Sequence, residues 1–292
     1  MTPPLSEHGQ LAAVLMKHPR HAFVNDAVIA AQWRELNFSA PPDLPRAIDE
    51  YERFLEIIAG NGCEILLLPE SDASTTTLDS IYTRDATVES PLGMILASMG
   101  KRSRASEPHA QAEELGRGGW PLGGAVESPG YLEGGDLIWL DQKTVAVGQG
   151  ARTNLEGIRQ LKTLLNGFID ELIVVPLPDD PGPHDVMHLM SLVSPVDRDL
   201  AVVYSRLLPD DFKDTLQRHG YRLIDVPDDE YGTMATNVLA LAPRECVMLN
   251  GNPRTRAALE KAGAAVHVYD GREISLKGGG GPTCLTRPLV RL

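Results

Sequence analysis

One order of elements recurs along this chain and constrains its fold more than any single motif. Two short apolar runs joined by a tight turn precede a helix, and another strand follows. The clearest copy spans residues 137–178. There "LIWL" and "VAVG" flank "DQKT" as a hairpin. "TNLEGIRQLKTLLNG" then sets Leu155, Ile158, Leu161, Leu164 and Leu165 at helical spacing, with Thr153 or Asn154 as its cap. "ELIVVPLP" is a strand stopped by prolines. "HLMSLVSPVDRDLAVVYS", "DDFKDTLQRHG" and "YRLIDVP" repeat the order. "NVLALAPRECVMLN", "NPRTRAALEKAG" and "AAVHVYDG" repeat it again. Upstream, "IYTRDATVESPLGMILASMG" and "ASEPHAQAEELG" supply a hairpin and a helix. The first copy is "AAVLMKHP", a long insert, the helix "LPRAIDEYERFLEIIAGNG" and the strand "EILLLP".

Five units of roughly 40–60 residues have the period of a repeat architecture. The final "TCLTRPLVRL" is a strand with no helix after it. An orphan of this kind completes the first unit and closes a ring. The Pro- and Gly-rich stretches 117–131 and 179–184 read as loops rather than linkers, so a single domain over residues 1–292 is expected.

Composition narrows the partners. At 292 residues and 42% hydrophobic content the chain can bury a large core. A net charge of −13 argues against nucleic acid and anionic membranes, and suits a small cationic ligand. Cys63, Cys246 and Cys284 are odd in number and widely spaced, which suggests neither a disulfide framework nor a zinc ribbon. No apolar run reaches 18 residues, and "MTPPLSEHGQLAAVLMKHP" lacks the pattern of a signal peptide. A cytoplasmic setting is the expectation.

Polar residues recur in phase with the units: Asp85 in "YTRD", Glu133 and Asp136 in "LEGGD", His188 in "VMHLM", Asn237 in "ATNVL" and Cys284 in "GPTC". Each lies just before or inside an apolar strand, where burial is costly unless the group is paired or used. Singly, each has an ordinary reading: Asp85 as a turn residue, His188 as a satisfied core histidine, Cys284 as an inert core thiol. Their shared phase assembles a nucleophile, an acid/base and carboxylates. Cys246 looks structural, and Cys63 falls at a helix-to-strand connection. Cys284 alone follows four glycines, in "KGGGGPTCLTRPL". Those glycines would let the main chain pass close to a ligand beside the thiol.

The order "YTRD", "EGGD", "GARTN", "HLM" and "GGGGPTC" resembles the guanidine-modifying enzymes of the pentein superfamily, from about residue 11 to the end. The family includes arginine deiminases, amidinotransferases and dimethylarginine dimethylaminohydrolases. The resemblance implies a five-bladed α/β propeller, in agreement with the repeat. It implies Cys284 as the nucleophile that forms a covalent amidino-thioether. His188 would be the general acid and base. Glu133 would be the carboxylate that holds the guanidinium and helps move protons, and Asp85 the second carboxylate. No metal or cofactor is implied. The expected partner is a small cationic guanidino amino acid, and a homodimer stays open.

Within the family the signals are mixed. Arginine deiminases carry an acid two positions after the catalytic histidine. Here Met190 stands there, which suits an N-alkylated guanidine. Arg84 in "YTRD" is deiminase-like. Arg104 and Arg152 match the two arginines that dimethylarginine hydrolases use on the substrate α-carboxylate; either could also be an ordinary surface arginine. Asp79 matches a substrate contact, and Tyr82 replaces a phenylalanine. The insert 21–45 stands where a lid is common and does not align.

The expected activity is hydrolysis of a substituted arginine to citrulline and an alkylamine. An arginine deiminase or a citrulline-cleaving relative is the nearest alternative, and transfer to an amine acceptor would use the same intermediate. A non-catalytic pentein would lack the Cys–His–Glu set. A zinc hydrolase on His184, Asp185 and His188 would need a loop site, with no H-E-x-x-H in support.

Overall fold

Each hairpin–helix–strand unit closes on itself as a small sheet. The computed structural model describes residues 5–70, 76–178 and 187–292. In chain order, β1 (Leu11–Met16) leads through α1 (Pro19–Ala22), α2 (Asp26–Gln32) and α3 (Leu44–Gly60) to β2 (Glu64–Leu67). The second unit is β3 (Thr87–Ser90), β4 (Gly93–Leu96), α4 (Glu107–Arg117) and β5 (Leu122–Ala125). The third is β6 (Leu137–Trp139), β7 (Thr144–Gln149), α5 (Leu155–Leu164) and β8 (Glu171–Pro176). The fourth is β9 (Val193–Asp197), β10 (Leu200–Val203), α6 (Asp210–Arg218) and β11 (Arg222–Asp225). A short α7 (Asp228–Tyr231) precedes the fifth: β12 (Val238–Ala242), β13 (Glu245–Leu249), α8 (Pro253–Lys261) and β14 (Ala265–Tyr269). The chain ends in β15 (Arg287–Arg291).

These strands make five three-stranded sheets of one pattern. The first two strands of each unit pair antiparallel, and the second pairs parallel with the third across the helix. The orphan strand does complete the first unit: β15 pairs antiparallel with β1, which pairs parallel with β2. The short third strands need a helix to return the chain in parallel.

Neighbouring units share cores. Ala47, Tyr51, Phe54 and Ile58 form one buried stripe on α3, whose first turn is capped by the Asp43 side chain. That stripe packs with Leu11 and Val14 of the first unit and with Leu239, Val247 and Tyr269 of the fifth. Val88 and Ile95 join Leu137, Val145 and Leu161 in another cluster. Ile138 and Ala146 join Val193, Val202, Val238 and Met248 in a third.

One expectation changes and two open points are filled in. The stretch 117–131 is not all loop, because residues 122–125 form β5 beside β4. The insert 21–45 carries α2 and the end of α1. Asn154, not Thr153, caps α5, accepting from the Gly157 amide at 2.8 Å. His184 and Asp185, needed for the zinc alternative, lie outside the described residues.

Candidate active site

The in-phase polar residues occupy equivalent places. Asp85 lies just before β3, Glu133 and Asp136 before β6, His188 before β9, Asn237 before β12 and Cys284 before β15. Asp79, Tyr82, Asp85, Lys101, Arg104, Arg152, His188 and Cys284 line one small pocket of about 20 Å³, with Gly278, Gly279 and Gly280. Glu133 lies directly behind it, fully buried and bonded to His188.

The carboxylate of Glu133 is the most heavily bonded group. His188 Nε2 lies 2.8 Å from its Oε2, and Arg152 Nη1 donates to both oxygens, at 3.0 and 2.8 Å. The Gly100 and Lys101 amides donate to Oε1 at 3.0 and 3.2 Å. Burial opposes its ionisation, yet the His188 hydrogen bond and the Arg152 charge hold the carboxyl well below the usual range.

Asp85 faces the other nitrogen of the imidazole, with Oδ1 3.9 Å from His188 Nδ1. The Gly135 amide donates to that oxygen at 3.1 Å, and Arg104 Nη1 reaches Oδ2 at 2.5 Å. Gly135 makes this close approach feasible: a Cβ there would stand 2.7 Å from His188 Nδ1 and 2.8 Å from Asp85 Oδ1. Asp136 fixes the backbone beyond the histidine. Its Oδ1 accepts from the Leu189 amide at 3.0 Å and its Oδ2 from the Thr153 hydroxyl at 2.6 Å. Burial pushes the Asp136 carboxyl up to about 6. For His188, burial alone would lower the pKa. The charges of Asp85 and Asp136, with the Glu133 hydrogen bond, reverse that and hold the imidazole at about 9. It is an imidazolium at neutral pH.

Cys284 is half-buried. Asn237 Nδ2 lies 3.5 Å from its sulfur, while Asn237 Oδ1 accepts from the amide and hydroxyl of Thr283 at 3.0 and 2.9 Å. Burial and then the Asp85 charge push the thiol above its ordinary value; the Thr283 hydroxyl, the Gly281 backbone and Asn237 act against them. The glycine run lines the pocket and also makes room for the protein itself. A Cβ on Gly278 or Gly280 would strike Tyr82, and one on Gly281 would strike Asn237. Gly279 alone has open space around it and a positive φ of +82°. Three of the four glycines make room for protein, and they seat the thiol against Tyr82 and Asn237.

Two other expectations meet a different geometry. Arg104 turns its guanidinium into the protein. Its Nε and Nη2 bond Glu107 at 3.0 and 2.8 Å, Nη1 bonds Asp85, and Nη2 also donates to the Tyr82 carbonyl at 2.7 Å. Met190 does not line this pocket. It faces a separate cavity of about 10 Å³ with Glu7, Arg84, Val193 and Thr283, because the 3-10 turn at 189–191 rotates it away from His188. Three relevant roles escaped the sequence. Lys101 Nζ is 2.8 Å from Asp79 Oδ2 and donates to the Leu36 carbonyl. Glu107 holds Arg104 from one helical turn on. Asn237, noticed for its phase, holds the thiol. "RSRASE" contains the i, i+3 spacing that would have revealed the Arg104–Glu107 pair.

Asp85, Glu133 and His188 also bring donor atoms within 4.8 Å of one another, as a metal site would. Here the two carboxylates are bonded instead to the guanidinium groups of Arg104 and Arg152. The set is dressed for planar nitrogen cations.

The family model of N,N dimethylarginine dimethylhydrolase, eukaryotic, matches residues 20–291. The chain belongs to this family. Its relatives include dimethylarginine hydrolases and arginine deiminases. The N(G),N(G)-dimethylarginine dimethylaminohydrolase of Pseudomonas aeruginosa is 25% identical over 245 residues, covering 84% of this chain and 89% of that protein. An uncharacterized protein, YkgA, of Bacillus subtilis is 29% identical over 297 residues, covering 98% and 94%. The solved Pseudomonas aeruginosa dimethylarginine dimethylaminohydrolase, a mutant complexed with citrulline, superposes with a TM-score of 0.78 at 21% identity, covering 97% of this chain and all of that one. At that identity the structural likeness speaks for the mixed α/β fold. Among the described residues no helix is long and apolar enough to cross a membrane.

Proposed function

We propose that this protein is a thiol hydrolase of a substituted arginine, releasing citrulline and an amine, with one pentein domain of five blades around the pocket. The observation that carries the reading is the pocket shared by Cys284 and His188, backed by two carboxylates that already hold guanidinium groups. A substrate guanidinium replaces Arg152 on Glu133 and shares Asp85 with Arg104. Lys101 and Arg152 take the α-carboxylate and Asp79 the α-ammonium. Arg104, fully engaged by Asp85 and Glu107, acts by positioning Asp85.

The chemistry then needs few parts. The Cys284 sulfur attacks the guanidine carbon while the His188 imidazolium gives its proton to the leaving nitrogen. The carbon–nitrogen bond breaks, the amine departs, and an amidino-thioether remains on Cys284. His188, now neutral, takes a proton from water as the water oxygen attacks the same carbon. The carbon–sulfur bond breaks, giving the ureido product and the free thiol. The substrate cation beside the sulfur offsets the Asp85 charge, so the thiolate forms mainly in the complex.

Arginine deiminase activity is the second reading. Arg84 in "YTRD" is deiminase-like in sequence, but Arg84 and Met190 share the separate cavity and neither lines the pocket, so the pocket itself leaves both readings standing. A product assay separates the two. Asymmetric dimethylarginine, monomethylarginine, arginine and citrulline are offered separately, with Cys284→Ser as control. Citrulline plus a methylamine, lost in the variant, supports the proposal. Citrulline plus ammonia from arginine alone replaces it with the deiminase.

A further inference from the structure

The catalytic pair stands between two compartments of opposite character. One is the charged pocket just described. The other is a pocket of about 200 Å³ that shares His188, Gly278, Gly279 and Cys284 with it. Its remaining lining includes Leu36, Met187, Tyr231, Met234 and Leu276, and the polar groups it adds, such as Ser191, Thr236 and Asn237, are uncharged. Among the described residues, no carboxylate, ammonium or guanidinium joins this lining, and its one titratable ring is the shared His188.

Its wall is held in advance. Met234 has φ +61° and Asn37 φ +66°, two of only four non-glycine residues with positive φ among the described residues. For methionine that conformation is costly, and it persists only where the surroundings enforce it. The enforcement is visible. Glu230 accepts from the Arg254 and Thr255 amides and the Thr255 hydroxyl, at 2.8, 2.9 and 2.6 Å. Asn252 bonds Thr233 twice. Tyr231 stacks on Tyr204 with ring centroids 3.9 Å apart. The loop that carries Met234 is therefore a rigid wall.

A guanidine has one nitrogen bearing the amino acid and two others. With the zwitterionic end among Lys101, Asp79 and Arg152, the edge that both pockets share at His188 and Cys284 puts the uncharged compartment next to the reacting carbon, as the larger space open to a substituent on the leaving nitrogen. An apolar cavity of about 150 Å³ is enough to hold a benzene. A methyl or dimethyl group would leave most of this space unfilled. We propose that the compartment receives an apolar N-substituent larger than methyl, and that the preferred substrate is an arginine alkylated or arylalkylated on its terminal nitrogen. This inference rests on the hydrolase reading above and adds the class of leaving amine.

The test compares citrulline release from Nω-methyl-, Nω-propyl- and Nω-benzyl-arginine by wild type, Leu276→Trp and Met234→Gly. Leu276→Trp fills the compartment from its rim. Met234→Gly removes a wall while relieving its backbone, so both variants keep the fold by separate routes. The expected result is a wild-type kcat/KM for the benzyl compound at or above that for the methyl compound. Leu276→Trp should lower the benzyl value by about tenfold or more, with the methyl value within about twofold. Met234→Gly should lower the benzyl-to-methyl ratio in the same direction. Turnover of the methyl compound with none of the larger ones overturns the inference and leaves the hydrolase reading standing. A benzyl-to-methyl ratio unchanged in both variants also overturns it. No citrulline from any of the three overturns both.

Discussion

The guanidinium of Arg152 sits on both carboxylate oxygens of Glu133, at 3.0 and 2.8 Å, on the acid that also bonds the imidazole of His188. An arginine thus stands where the proposed function seats a substrate guanidinium. Arg152→Lys keeps the charge but loses the rigid planar guanidinium that sets Nη1 across both oxygens. Charge-assisted hydrogen bonds of this kind contribute about 1.5–3 kcal/mol each, so kcat/KM should fall by roughly 10- to 100-fold. Steady-state kinetics with a parallel thermal melt checks this; an unchanged kcat/KM would remove Arg152 from the site.

The histidine makes a pH prediction. His188 is held at about 9 in the folded protein, above its ordinary value, so the proton-donating form persists through neutral pH and is lost as pH rises through that range. The alkaline limb of kcat/KM should fall near pH 9. Asp136 contributes to that shift by its charge and is itself ionised above about 6. Asp136→Asn should move the alkaline limb to lower pH, while keeping an oxygen for the Leu189 amide. A limb that stays in place would mean that another group controls it.

The thiols differ enough to be told apart. Burial pushes all three up, Cys63 to about 11, Cys246 to about 12 and Cys284 also above its ordinary value, so exposure is what separates them: Cys63 and Cys246 are buried and Cys284 is half-buried. Only Cys284 has an amide donor on its sulfur and lies at the pocket. Mild alkylation at neutral pH should therefore label Cys284 first, as peptide mapping would show. Asn237→Leu removes that donor and should slow labelling. Dimethylarginine bound to a Cys284-competent, His188→Gln enzyme should raise the thiolate ultraviolet absorbance at fixed pH. Equal absorbance with and without the ligand would end the substrate-assisted account of ionisation.

The sequence carried the site better than it carried two details of the fold. The hairpin, helix and strand of each unit alternate in period, so even the closure by the last strand was legible. β5 was not, because "LGGA" has two glycines, no β-branched residue and only one neighbouring strand. The candidate set was legible because each member precedes a strand of its unit at an equivalent place. Met190 was singled out because the resemblance places an acid two positions after the histidine; which way that side chain faces depends on the local backbone. Two residues along a strand return a side chain to the same face, whereas two residues along a 3-10 turn carry it some 240° around the axis. Arg104 was identified as a site residue, but which way it faces depends on Asp85 and Glu107, whose approach only tertiary structure sets.

Gly135 offers the sharpest test of the geometry. It occupies no strained conformation that would by itself demand glycine; the demand comes from the space that Asp85 and His188 take on either side. Gly135→Ala should push those two groups apart. A displacement on the order of 1 Å costs about 100-fold when it misplaces reacting groups, so kcat should fall far more than the melting temperature does. Gly116→Ala is the matched control: it sits in α4 with open space around its Cα, and alanine there should stabilise by a few tenths to about 1 kcal/mol. Kinetics and melts on both variants decide the point. If Gly135→Ala loses stability and activity in proportion, the glycine serves the fold. If activity falls alone, the approach of Asp85 to His188 is what this position protects.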